Sequence, residues 1–200
     1  MLAKYYLDNV LESLSSLIGR LESVKSTAGS IVQAVKSGKK VYVMDRFNIV
    51  DAELVERVSG LALFRSFKDE GDKMAEGDIF ILSAYHPDNE NDLSLIEEAR
   101  SHGAFTITIS PEGALSKTSD KALINIEDSA NGTITIPEVD NPICPVSGII
   151  NVTIAWALVA ETTAALLQEN ITPTMFYGEY LSGCTGKNSE TRMKYVSLGY

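Results

Sequence analysis

The chain has 200 residues, 44% hydrophobic and 22% charged, enough for one full core and too few for two independent domains. Its net charge of -10 and pI near 4.7, with no basic patch interleaved with aromatics, argue against a nucleic-acid partner. Two cysteines, Cys144 and Cys184, in neither a CxxC nor a Cys/His cluster, predict no disulfide framework, no metal site and no redox centre.

The N-terminal MLAKYYLDNVLESL carries Asp8 and Glu12 where a secretory segment would need an apolar core, so no signal peptide is expected and a cytoplasmic location is the default. Leu7, Val10, Leu11, Leu14, Leu17, Ile18, Leu21 and Val24 recur at helical spacing and predict one long helix. A second helix is expected after Ser26, with Ala28, Ile31, Val32 and Val35 facing the core and Gly38 ending it. Lys40 to Met44 begins the sheet, Asp51 to Ser59 reads as a helix, and Leu61 to Phe64 as a short strand before a charged loop from Lys68 to Asp78.

The central unit follows. Ile79 to Leu82 is a continuous apolar run, the pattern of a strand buried on both faces, and Phe105 to Ile109 is rich in β-branched residues. Between them an amphipathic helix is capped by Asp92 or Ser94, buries Leu93, Ile96 and Ala99, and stops at Gly103. A connection of this length joins parallel strands, and ligands of open parallel sheets sit beyond the carboxyl ends of the strands, here Ser83 to Asn91 and Ser110 to Gly113. Leu123 to Ile126 is the expected last core strand, and Thr133 to Ile136 is either a marginal strand or an extended loop. Ser147 to Gln168 is apolar on nearly every side. Asn151 within it and the absence of a basic flank favour burial between the sheet and a second subunit over a membrane span. The tail after Pro173 has aromatics without period and is expected to be irregular.

The first sheet turn, Asp45-Arg46-Phe47-Asn48, contains no glycine, so it is neither a dinucleotide nor a triphosphate loop. Arg46 either pairs with a ligand anion or with Asp45 beside it. The second turn, Ser83 to Asn89, offers a hydroxyl, a phenol, an imidazole and an amide ahead of a helix start. It either holds a polyol phosphate, with His86 able to move protons near neutral pH, or is a solvated helix entrance. His102 is a surface residue at that helix's end. Asp88, Glu90 and Asp92 alternate like the start of a calcium loop, but Leu93 and Ala99 stand where glycine and glutamate belong, so calcium is excluded. Glu53 and Glu161 are carboxylates with apolar neighbours; Arg57, one turn from Glu53, predicts an ion pair there rather than a free base.

Taken together, the helical pair, VYVM with Glu53, Arg57, Gly60 and Leu61, then Ser83, EARSHGAFTITIS, and Pro142, Val146, Gly148, Asn151 and Glu161 of the final helix resemble the SIS (sugar isomerase) phosphosugar-binding domain. Pro173, Phe176 and Gly183 in the tail fit as well, so the likeness runs the chain's length and is nearest to stand-alone proteins related to phosphoheptose isomerases. The resemblance implies a single domain over residues 1–200 and a three-layer α/β/α sandwich with a mostly parallel, flavodoxin-like five-stranded sheet. It also implies a homodimer with ligand pockets near the subunit interface, a sugar phosphate or sugar derivative as ligand, and no cofactor. Both anion loops depart from the family's pattern: Asp45 to Asn48 replaces a glycine-histidine-serine turn, and Tyr85 followed by His86 replaces the second serine. The expected site has Asp45, Arg46 and Asn48 on one wall, Ser83, Tyr85, His86 and Asn89 on the other, and Ser110 as the floor. Catalysis, if present, would be aldose-ketose isomerisation with Glu53 or His86 as base. The alternatives are a site without phosphate affinity that senses another small molecule, and a domain kept for assembly alone.

Overall fold

The computed structural model describes residues 2–57, 59–67, 73–125, 143–178 and 182–197. Five strands form one all-parallel sheet in the order β2-β1-β3-β4-β5, with β1 at Val41–Asp45, β2 at Phe64–Ser66, β3 at Ile79–Ser83, β4 at Phe105–Ser110 and β5 at Lys121–Ile124. This is the doubly wound order in which the chain reverses direction across the sheet between β1 and β3. The α/β class with a flavodoxin-like sheet, expected from the sequence, is what the structure has.

Side-chain alternation sorts the core into two layers. Val41, Val43, Ile79, Ile81, Ile107, Ile109 and Leu123 face helices α2 (Leu21–Lys36) and α5 (Ser147–Gln168). Tyr42, Phe80 and Leu82 face the opposite way, against Ile96 and Ala99 of α3 (Glu90–Ser101) and Leu115 of α4 (Ala114–Thr118). The apolar runs of these strands are continuous because both faces are covered. Helix α5 is long and apolar enough to cross a bilayer, yet Ile150, Ile154, Ala155, Leu158 and Val159 are core residues packed on the sheet and on α2.

Several boundaries differ from the sequence reading. The single long N-terminal helix is two: α1 (Leu2–Ile18) ends at a turn over Gly19 and Arg20, and α2 begins at Leu21, not after Ser26. The turn is closed by Arg20 N–H on the Leu17 carbonyl at 2.9 Å, and the Arg20 guanidinium reaches the Ile124 carbonyl at 2.8 Å. The helix expected over Asp51 to Ser59 is a short π-helical turn, Ala52–Glu56. It is followed by Ser59 in the left-handed region at φ 70° and by Gly60, where a Cβ would stand 3.0 Å from the Leu54 and Arg57 carbonyls. β2 starts at Phe64 rather than Leu61, since Leu61 and Ala62 pair antiparallel with the tail at Met175 and Thr174. β5 ends at Ile124, not Ile126. The tail carries a helix, α6 (Cys184–Ser197), where none was expected. Asn188 on it exchanges hydrogen bonds with both Tyr177 N–H (2.7 Å) and Tyr177 C=O (3.0 Å). The segment Thr133 to Ile136 lies outside the described residues.

The candidate rim at the carboxyl ends of β1 and β3

In the parallel ladder Asp45 of β1 lies directly beside Ser83 of β3, and Ser83 beside Ile109 of β4. The turns after β1 and β3 therefore emerge side by side where the strand order reverses.

Asp45 is buried and engaged with its own turn. Its Oδ1 accepts from Phe47 N–H at 3.0 Å, and its Oδ2 from Ile49 N–H at 3.1 Å and Val50 N–H at 2.7 Å. The turn is tightened by Asn48 N–H on the Asp45 carbonyl at 2.9 Å, with Asn48 in the left-handed region at φ 55°, a conformation asparagine tolerates. A fourth donor, the Tyr85 hydroxyl, reaches Asp45 Oδ2 at 2.9 Å from the neighbouring turn. Burial first, then the Asp45 charge and its hydrogen bond, hold the Tyr85 phenol well above the ordinary tyrosine range, with the Ser83 hydroxyl opposing in part. Tyr85 is thus a neutral donor to a carboxylate. Phe47 stands edge-on to the Tyr85 ring at 4.9 Å between centroids and is 65% exposed, so an aromatic face projects from the rim into solvent.

Arg46 does not pair with Asp45. Neighbouring residues at a strand end point to opposite faces, and its Nε donates instead to the buried carboxylate of Asp92 in the first turn of α3. Asn89, not Asp92 or Ser94, caps α3: its Oδ1 accepts from Asp92 N–H at 3.1 Å. The β3 turn is in turn fixed to the following one. Asp88 Oδ1 accepts from Ala114 N–H at 2.9 Å and Leu115 N–H donates to the Pro87 carbonyl at 2.9 Å. Gly113 is packed so closely there that a Cβ would stand 2.3 Å from Pro87 Cβ.

Ser83 belongs to a buried polar chain that includes residues the candidate set left out. Asn151, in the first turns of α5 and fully buried, donates from Nδ2 to Ser83 Oγ at 3.0 Å and to the Ala84 carbonyl at 3.2 Å, while its Oδ1 accepts from Asn125 Nδ2. Asn125 N–H in turn donates to the Ser110 carbonyl at 3.0 Å. The signal for Asn151 was in the sequence: one amide inside a 22-residue apolar helix must find partners.

The structure gathers Asp45, Tyr85 and Ser83 into one hydrogen-bonded group, with Arg46, Phe47 and Asn48 along its edge. His86 is exposed, and among the described residues no hydrogen bond orients its ring. Ser110 is fully buried, donates to the Pro111 carbonyl at 3.0 Å, and is turned by strand alternation to the α3–α4 face, away from Ser83. Glu53 has both oxygens engaged, one by Arg57 and the other by Trp156 Nε1 of α5 at 3.0 Å. A cavity of about 470 Å³ lies elsewhere, between Leu17, Arg20, Val24, Glu112, Leu123 and Ile154, and none of the expected site residues lines it. Among the described residues no cluster of metal-ligating side chains occurs.

No protein-family model matches the chain, and no curated protein does. Solved structures match over most of its length. A phosphoheptose isomerase from Francisella tularensis superposes with a TM-score of 0.55 at 17% identity over 80% of this chain and 94% of that one. A protein of E. coli CFT073 in complex with a sugar phosphate gives 0.57 at 16% identity, covering 86% and 91%. The Vibrio vulnificus NanR protein complexed with ManNAc-6P gives 0.60 at 11% identity, covering 99% and 70%. At such identities the shared property is architecture: the chain has the parallel α/β fold of a phosphoheptose isomerase and of these two proteins.

Proposed function

We propose that the chain is a binding module of the SIS type that takes a phosphosugar or related sugar derivative at the carboxyl ends of β1 and β3, without isomerising it. The observation that carries this reading is the joining of the two turns into one polar, aromatic-edged rim at the point of strand reversal, through Tyr85–Asp45, Arg46–Asp92 and Phe47–Tyr85. The sugar phosphates bound by two of the structural neighbours, ManNAc-6P in the Vibrio protein and another in the E. coli one, support the ligand class. Against catalysis stands the chemistry of the two candidate bases. Isomerisation needs a base positioned against a carbon-bound proton; Glu53 is held by Arg57 and Trp156, and His86 has no orienting partner among the described residues. Thermal scanning with a panel of sugars, amino sugars and sugar phosphates tests the reading. A saturable rise in Tm that disappears in Phe47→Ala, with no ketose formed from any aldose, is expected; no shift with any compound at millimolar concentration would refute it.

The same reading includes a second copy of the chain against α1. None of this helix's 17 residues is buried, and Leu7, Leu11 and Ile18, 57%, 62% and 70% exposed, lie along one side at helical spacing. A self-complementary apolar helix face fits a two-fold partner. Sedimentation of the wild type as a dimer, and of Leu11→Glu/Ile18→Glu as a folded monomer, is the expected outcome; a monomeric wild type at micromolar concentration contradicts it. A cytoplasmic location goes with this proposal.

A further inference from the structure

Resting on the rim reading above, we infer that Asp45 sets the charge class of the ligand: its carboxylate fills the backbone anion nest of the first turn, so the sugar derivative bound there carries no phosphate against that turn. Three successive-turn N–H groups converging at a strand end, ahead of a helical turn, are the arrangement that receives a ligand phosphate in parallel α/β folds. Here the N–H groups of Phe47, Ile49 and Val50 all converge on Asp45, at 3.0, 3.1 and 2.7 Å, and the Tyr85 hydroxyl completes the set at 2.9 Å. Nothing in the nest is left to donate to an incoming anion.

The neighbouring turn is closed to an anion in the same way. At the start of α3 the Asp92 N–H is taken by Asn89, and Glu90 and Asp92 place two acidic side chains in the first turn, where a phosphate would otherwise gain from the helix dipole. Arg46, the cation at this rim, is held by Asp92. Both positions therefore carry the chain's own carboxylates, and a dianion entering either must displace or approach one. What the rim leaves exposed is Phe47, 65% open and stacked edge-on against Tyr85, with Asn48 and His86 beside it. An aromatic face flanked by neutral hydrogen-bonding groups suits the C–H face and hydroxyls of an unphosphorylated sugar, or an amino sugar drawn by the acidic surroundings.

Amide resonances of the full-length ¹⁵N-labelled chain, titrated with inorganic phosphate, glucose 6-phosphate, glucose and glucosamine, test the assignment in wild type and in Asp45→Ala. Asp45→Ser, whose hydroxyl can still hold one N–H, stands in if the alanine variant does not fold. The expected wild type shows no saturable phosphate response at Phe47, Ile49 or Val50 and binds the parent sugars at least about tenfold more tightly than the phosphate ester. The folded variant gains a saturable phosphate response at those three amides. A wild type whose three amides respond to phosphate, or a folded variant whose amides do not, overturns the assignment. Tighter binding of glucose 6-phosphate than glucose by the wild type would sink it while leaving the rim reading intact; no response at the rim to any of the four compounds in either protein would sink the rim reading itself.

Discussion

Replacing Asn151 with alanine probes the polar chain that ties α5 to the rim. The change removes the donors to Ser83 Oγ and to the Ala84 carbonyl and the acceptor for Asn125 Nδ2, all in positions closed to solvent. A neutral hydrogen bond contributes roughly 0.5–1.5 kcal/mol net, and each buried group left without its partner costs about 1–3 kcal/mol. Ser83 retains the Tyr85 hydroxyl and Asn125 retains other contacts, so the sum sits toward the lower end, about 3 kcal/mol. For a chain of this length each kcal/mol moves Tm by roughly 2–4 °C, which gives a fall of about 6–12 °C. Guanidinium unfolding followed by circular dichroism, with scanning calorimetry beside it, measures both quantities. Thr153→Ala is the control: its exposed hydroxyl bonds only to the Ile149 carbonyl of its own helix at 2.8 Å, and a change within about 0.5 kcal/mol is expected. A loss below about 1 kcal/mol for Asn151→Ala would refute the view that this chain holds the rim in place.

Other outcomes follow from the same contacts. Gly113→Ala should destabilise by about 1–3 kcal/mol because its Cβ meets Pro87, whereas Gly29→Ala, inside α2 with open space around it, should stabilise by about 0.5–1 kcal/mol; opposite signs in Tm check the pair. Tyr85 should ionise after the chain's ordinary tyrosines in an alkaline absorbance titration, the highest step vanishing in Tyr85→Phe. Since folding raises this pKa above its unfolded value near 10.0, its contribution to stability is complete below that pH and is lost as pH rises toward the folded value; a stability profile flat across that range would contradict the sign. Trp156 is the chain's sole tryptophan, so Glu53→Ala should shift its emission, while Glu53→Gln, which keeps an acceptor for the indole N–H, should leave emission and ligand binding near wild type. A loss of ligand binding in Glu53→Gln would restore Glu53 as a site residue.

Local chemistry made much of the sheet legible. The apolar run Ile79 to Leu82 is a strand covered on both faces, and Gly103 is in the left-handed region at φ 77° where the helix stops. What escaped depends on partners far along the chain. Apolar spacing continues unbroken through Gly19 and Arg20, yet the helix breaks there, where Arg20 is fixed on Ile124, 104 residues away. Leu61 to Leu63 has strand composition, but the backbone at 61 and 62 pairs with the tail, which delays the parallel ladder to Phe64. Helix α6 has no apolar period to detect; Asn188, with Lys187 over Tyr177 and Arg192 over Phe176, docks it by polar and cation–π contacts. At the rim the residue types were readable and the pairings were not. Asp45 and Arg46 are neighbours in sequence, and the strand end sends one to its own amides and the other to α3.

Mapping amide shifts across the whole chain during titration with the sugar panel tests the central claim most directly. The account predicts that perturbations concentrate at residues 45–50 and 83–89, the two turns that meet beyond β1 and β3. Perturbations confined to the cavity between α1, α2 and β5, with those turns unmoved at saturation, would contradict it.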